Sequence, residues 1–284
     1  MTMPRHAEQN QRLVDLSRKA AAVEPIDWMA QLDPRAFCFS PELISLAGTD
    51  AYGRLGPAAR RRLSLFEAAN FFSLNVHGER FLVSGLADRM AVPRFAEHRA
   101  YLRHFMEEER RHTAMFTAFC CRYANGVYPD RSIPLADGDG PDADLLFFAR
   151  IAIFEEIVDT FNRAMAKDAR LDGVARAVNR AHHLDEARHL SFGHRLLHDL
   201  VAERSTAWTP ADRTKIARCL QKFTEQVWAG LFNPSVYRDA GLHDVYALRR
   251  EATASAAAHR RRTWALRGAQ RLLWRLDLTK GDRA

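Results

Sequence analysis

Two short strings, Glu109-Arg-Arg-His112 and Glu186-Ala-Arg-His189, each set a carboxylate and an imidazole three residues apart. That spacing puts both side chains on one face of a helix. Two such pairs on separate helices, joined by one glutamate from each of two further helices, form the ligand set of a carboxylate-bridged dinuclear metal site in a four-helix bundle. The expected fold class is therefore all-α, a four-helix bundle with additional flanking helices.

The periodicity along the chain agrees. The first 50 residues read as irregular, broken by Pro25, Pro34 and Pro41, and are expected to pack on the bundle. From Pro57 onward apolar residues recur at helical spacing, with no sustained strand alternation. The spacing predicts helices over 58–91, 94–124, 142–168, 171–204 and 211–231, punctuated by Pro93, Asn125-Gly126 and Asn233-Pro234. Residues 129–142, with Pro129, Pro134, Gly138, Gly140 and Pro141, read as a connecting loop. The chain divides into an N-terminal segment (1–50), a metal-binding bundle (51–245) and a basic helical tail (246–284).

Bulk properties exclude several classes. The net charge is +7, and much of the excess lies in the tail at Arg249, Arg250, Arg260, Arg261, Arg262, Arg267, Arg271 and Arg275. Trp264, Leu266, Leu273 and Trp274 are interspersed, which suits an amphipathic helix on the body or on a partner, or simply a solvated basic face. No nucleic-acid module is recognisable. The most apolar stretch, Leu145–Phe154, is interrupted by Arg150 and too short to span a bilayer. Cys38, Cys120, Cys121 and Cys219 have neither CxxC nor zinc spacing. With no secretion signal legible, the expectation is a cytoplasmic protein without nucleic-acid or membrane partners.

Helical phase then selects the ligands. Glu109 and His112 share a face with Leu102, Phe105, Met106, Thr113 and Phe116, where an unpaired carboxylate would be costly. Glu107 and Glu108 are expected to be solvated. On the fourth helix of the bundle, His182, Glu186 and His189 fall at i, i+4 and i+7, a better alignment than His183 offers. Glu155 shares its face with Phe148, Ile151, Ala152 and Val158, whereas the adjacent Glu156 aligns with Ile153, Thr160 and Arg163. Glu79 lies 14 residues before Pro93 and Glu109 16 after it, while Glu67 lies 26 before. In an antiparallel hairpin that favours Glu79, leaving Glu67 as a surface residue or a polar contact near the bundle end. The expected metal ligands are Glu79, Glu109, His112, Glu155, His182, Glu186 and His189. Carboxylates can bridge two cations and imidazoles supply neutral nitrogen, a set that suits iron better than four-coordinate zinc.

The string His182-His-Leu-Asp-Glu186-Ala-Arg-His189 resembles the p-aminobenzoate N-oxygenase family, in which an additional histidine ligates one iron. Ala68 to Glu79, Glu109 to Phe116, and Phe232-Asn-Pro-Ser-Val-Tyr-Arg238 carry the same resemblance, which extends over about residues 25–245. It implies a ferritin-like non-haem diiron oxygenase, often of natural-product biosynthesis. Two iron ions would bind dioxygen as a diferric peroxo species and oxidise an amine to hydroxylamine, nitroso or nitro. A separate reductase or other external electron donor is then required, because no GxGxxG fingerprint is present. A homodimer is the expected assembly. The same site would also suit a C-hydroxylase or desaturase, or a non-catalytic ferritin-like metal-binding protein. Asp159 and Asp185 are placed either to hold the outer nitrogens of ligand histidines or to serve as surface salt-bridge partners. Phe72, Val76, Phe105, Phe116, Phe148 and Ile151 are the expected lining of a substrate pocket.

Overall fold

A computed structural model describes residues 6–20, 26–131 and 140–279. Ten helices occur among them: α1 (Ala7–Ala20), α2 (Asp50–Gly53), α3 (Pro57–Ala91), α4 (Arg99–Tyr123), α5 (Ala143–Met165), α6 (Gly173–Arg204), α7 (Pro210–Gly230), α8 (Pro234–Asp239), α9 (Val245–Ala254) and α10 (Ala256–Arg275). The described residues contain no strand, only an isolated bridge between Phe37 and Leu171. No helix among them is long and apolar enough to cross a membrane. Most of the 129–142 loop, residues 132–139, lies outside the described residues, as does Pro25.

Helices α3 to α6 form the bundle as two hairpins, α3 against α4 and α5 against α6, joined by α4–α6 and α3–α5 contacts. Pro57 opens α3 at a position where its missing N–H costs nothing. The first turns predicted for α4 are instead a 3-10 helix, Pro93–His98, whose tighter winding reverses the chain while burying Phe95 and His98. Gly78 and Gly85, two turns apart on α3, sit directly against the rings of Phe154 and Phe147. A Cβ at either position would collide with those rings, so these glycines permit the close approach of α3 and α5.

The N-terminal segment departs from the irregular expectation. Residues Ala7–Ala20 form α1, which packs on α4 and α6. The helix carries one short apolar cluster, of which Leu13 and Val14 are buried, too little to stand out from sequence. Its polar side chains do the anchoring. Asn10 donates to Glu97 O (3.2 Å) and pairs with His98 Nδ1 (3.0 Å), while Arg195 donates to Asn10 Oδ1 (2.6 Å).

The tail is part of the body rather than only a solvated basic face. Ala258, Ala265, Leu266, Ala269, Leu272 and Leu273 of α10 are buried, and α10 lies on α5. Trp264 meets the edge of Phe161 at 5.2 Å. Arg261 is also buried, donating to Ala47 O (2.9 Å) and Ser45 O (2.7 Å). Arg260, Arg267, Arg271 and Arg275 face outward, and Trp274 is exposed. Residues 280–284 lie outside the described residues.

Glu67 is the polar contact at the bundle end, fully enclosed. Its carboxylate accepts from Ser45 N (3.1 Å) and Ser45 Oγ, whose oxygen is 2.8 Å from Tyr237 Oη. Burial outweighs these bonds and nearby Arg261, and pushes the carboxyl up to about 7. A carboxyl raised from 4.5 in this way adds stability below pH 4.5 that disappears as pH rises through about 7. Glu67→Gln should therefore become more stable relative to the parent between pH 5 and pH 8, by up to about 3 kcal/mol. Denaturant midpoints at the two pH values check this; an equal offset at both would contradict it.

Candidate metal centre

Each helix of the bundle delivers its predicted acid or acid–histidine set to one buried locus. Glu79 comes from α3, Glu109 and His112 from α4, Glu155 from α5, and His182, Glu186 and His189 from α6. All seven are nearly inaccessible, the most exposed at 3%. Their donor atoms fall into three overlapping groups: Glu109, His112, Glu186 and His189; Glu79, His112 and His182; Glu155, His182 and Glu186. Within each group the atoms lie within 4.8 Å of one another. His112, His182 and Glu186 belong to two groups each, so the locus is continuous.

The donor chemistry of this locus suits cations. Glu79 Oε1, Glu109 Oε1, Glu155 Oε1, both Glu186 oxygens, His182 Nε2 and His189 Nδ1 are buried with no hydrogen bond. They face each other instead, with His182 Nε2 3.1 Å from Glu186 Oε1 and 3.4 Å from Glu79 Oε1, and His189 Nδ1 2.8 Å from Glu109 Oε1. Buried polar atoms normally find partners, and seven convergent orphans of oxygen and nitrogen type fit a pair of metal ions.

The electrostatics carry the same signature. Burial, with Glu109 nearby, drives the Glu79 carboxyl far up; burial and the facing Glu186 do the same to Glu155. Burial penalises Glu109 and Glu186 too, but adjacent imidazoles outweigh it and hold both low. Neutral Glu79 and Glu155 would have to release protons to bind a cation. Metal affinity is therefore expected to rise with pH, with proton release on loading measurable in weakly buffered solution; loading without proton release would contradict this reading.

Each histidine is held from behind through its other nitrogen. Asp185 Oδ2 is 3.0 Å from His112 Nε2, and Glu108 Oε2 is 2.9 Å from His189 Nε2. The two supports cross: the acid preceding Glu109 serves the histidine of α6, and the acid preceding Glu186 serves that of α4. Arg188, only 8% exposed, donates to both acids, at 2.7 Å to Glu108 Oε1 and in a shorter contact to Asp185; Ser17 of α1 adds a donor to Glu108. Glu108 is thus enclosed and in use, against the expectation that it is solvated. The sequence signal was the repeat itself, since Glu108 stands to Glu109 as Asp185 stands to Glu186.

The third support is Asn162, which sequence reasoning missed in favour of Asp159. The Asn162 amide lies 2.6 Å from His182 Nδ1, whereas Asp159 faces His183. Helix phase explains the choice: seven residues beyond Glu155 is about 20° short of two turns, four residues about 40° beyond one. Asn162 Oδ1 is buried without a partner. A half-turn of the amide presents that oxygen to the Nδ1–H and leaves Nε2 free to face the centre. Asn162→Leu should weaken metal binding by about 10- to 100-fold, read by competition with a chelator; unchanged retention would contradict the role.

Thr113 donates to Glu79 Oε2 (2.8 Å), setting the α3 ligand. The six expected pocket residues are all buried. The Phe105 ring lies tilted against His189 with centroids 4.0 Å apart and the Phe116 ring lies 5.0 Å from that of His182, so these two wall the centre. Neither the groove beside α7 nor the small cavity at Glu67 is lined by any of the six. Glu156 lies apart, 3.0 Å from His194, and Glu107 is exposed.

Fold and site together define a four-helix bundle with a buried carboxylate–histidine centre suited to metal ions. The family model described as P-aminobenzoate N-oxygenase AurF matches residues 4–277, and the chain belongs to that family. The match takes in α1 and most of the tail, a wider span than the residues 25–245 that the motifs suggested. Solved structures similar to the chain include an R2-like ligand-binding oxidase variant with an anaerobically reconstituted Mn/Fe cofactor. That likeness has 17% identity, covers 90% of this chain and 92% of the other, and has a TM-score of 0.53. Another R2-like ligand-binding oxidase, with an aerobically reconstituted metal cofactor, is 16% identical over 96% and 93%, with a TM-score of 0.51. At these identities the likeness bears on the fold. No curated protein matches the chain.

Proposed function

We propose that this protein is a non-haem diiron oxygenase that N-oxygenates an amine, carrying it to the hydroxylamine and on to nitroso or nitro products. The observation that carries this reading is the set of seven buried, mutually facing carboxylate and imidazole groups, in a chain of the p-aminobenzoate N-oxygenase family. Glu79, Glu109, Glu155 and Glu186 would supply oxygen ligands, and His112 Nδ1, His182 Nε2 and His189 Nδ1 nitrogen ligands. Two reducible ions held there supply the electrons and Lewis acidity that dioxygen activation needs. The polypeptide does the rest. Asp185, Glu108 and Asn162 fix the histidine rings, Arg188 locks the two acids, and Phe105 and Phe116 keep water from the centre. A separate donor would return electrons after each turnover, and the amine is the small-molecule partner.

The test is reconstitution with iron alone, or with manganese and iron together, followed by turnover of an arylamine under labelled dioxygen. Labelled N-oxygenated product is expected from the iron-only protein. Product labelled only on carbon would establish a C-hydroxylase instead, and activity restricted to the mixed-metal protein would displace iron from one position.

A further inference from the structure

Three aromatic residues of α5, Phe147, Phe154 and Phe161, recur every seven residues and share one side of that helix. They meet three residues of α3 at the same spacing, Gly85, Gly78 and Phe71, in antiparallel order. The ring of Phe147 sits on Gly85 and that of Phe154 on Gly78, while Phe161 and Phe71 pack with ring centroids 5.5 Å apart. The outer two levels of this seam are sealed, with Phe147 at 1% and Phe161 at 2% exposure. Phe154, in the middle, is only half-buried. The middle level is also that of the metal centre, because Gly78 and Phe154 immediately precede the ligands Glu79 and Glu155. Glu79 Oε1 and Glu155 Oε1 are buried there with no hydrogen bond among the described residues. On the α4–α6 side, Glu108, Asp185 and Arg188 brace the centre and Ser17 of α1 bonds to Glu108 from outside. On the α3–α5 side, the atoms nearest to where a Gly78 Cβ would lie all belong to the Phe154 ring.

We propose that Phe154 is a gate to the metal centre: its ring swings off Gly78 and the substrate enters through the gap. That the substrate is an amine rests on the N-oxygenase reading; the gate itself rests on the seam. A half-buried ring can turn outward about χ1 into another staggered well without unpacking the backbone, whereas Phe147 and Phe161 are held by close packing. Gly78 has no side chain to refill the space, so the gap takes the shape of the ring that leaves it. Such a slot favours a flat molecule over a bulky one. Phe81, three residues along α3 from Gly78, is exposed and extends the apolar approach.

The test uses the full-length protein loaded with iron and kept reduced without oxygen, and follows metal removal by 2,2′-bipyridyl in stopped flow. Phe154→Ala should speed removal by about tenfold, the factor given by a barrier about 1.4 kcal/mol lower. Phe154→Leu, the milder change, should fall between it and the parent. Phe147→Ala controls for general loosening. It removes a more deeply buried ring at another level of the seam, so it should cost more stability yet speed removal less. In turnover, the preference in kcat/KM for aniline over 4-tert-butylaniline should shrink in Phe154→Ala. Unchanged removal in both Phe154 variants, or an equal or larger acceleration from Phe147→Ala, would overturn the gate. Gated removal in a protein that oxygenates no amine would overturn the N-oxygenase reading and leave the gate in place; amine turnover with ungated removal would overturn the gate alone.

Discussion

Arg188→Ala is expected to lower stability by about 3 kcal/mol, the low end for breaking a buried ion pair because the side chain retains some solvent contact. Metal affinity should fall with it, by about 10- to 100-fold. The guanidinium is the bond partner that Glu108 and Asp185 share, and each of those acids holds the outer nitrogen of a histidine from the opposite helix. Without it two neighbouring carboxylates are left with less cationic compensation, and both imidazoles gain freedom to rotate. Arg188→Lys restores the charge but not the fork that spans two acids, so it should recover stability more than metal retention. Denaturant unfolding and chelator competition separate the two effects. A variant within about 1 kcal/mol of the parent and equally retentive of metal would show that the cross-brace does not matter.

His182→Ala should reduce metal content from about two ions per chain to about one, and cut oxygen-dependent turnover by about a hundredfold or more. His182 is the residue that separates HxxxExxH from a plain ExxH string, and its Nε2 lies between Glu79 and Glu186. Burial keeps this imidazole down at about 4, neutral and with a lone pair available to a cation. Metal analysis on protein of unchanged circular dichroism is the check. Wild-type metal content together with wild-type rate would show that six ligands suffice.

The bundle and the seven inward residues were legible because their signals are local and periodic. A carboxylate and an imidazole at helical spacing on an apolar stripe are costly to bury unless they share a cation, and the nearly equal distance of Glu79 and Glu109 from Pro93 measures the hairpin directly. The supporting groups were harder to read because their roles depend on contacts between helices. Glu108 looks solvated from its own helix alone, and only the packing of α4 against α6 shows that it faces His189. Asn162 carries no charge and stands beside the more conspicuous Asp159. Arg188 was silent for the same reason, lying within the motif but bonded across it. At the ends of the chain, α1 is tied down by Asn10 and Ser17 rather than by a continuous apolar face. Arg261 is a buried residue inside a run of basic ones, which composition reads as solvated charge.

The most direct measurement is anomalous diffraction at the iron edge from crystals of the iron-reconstituted protein. Two peaks are expected among Glu79, Glu109, His112, Glu155, His182, Glu186 and His189, with His182 Nε2, His112 Nδ1 and His189 Nδ1 as the nitrogen ligands. A single peak, or two peaks with His182 unligated, would contradict the seven-ligand dinuclear centre.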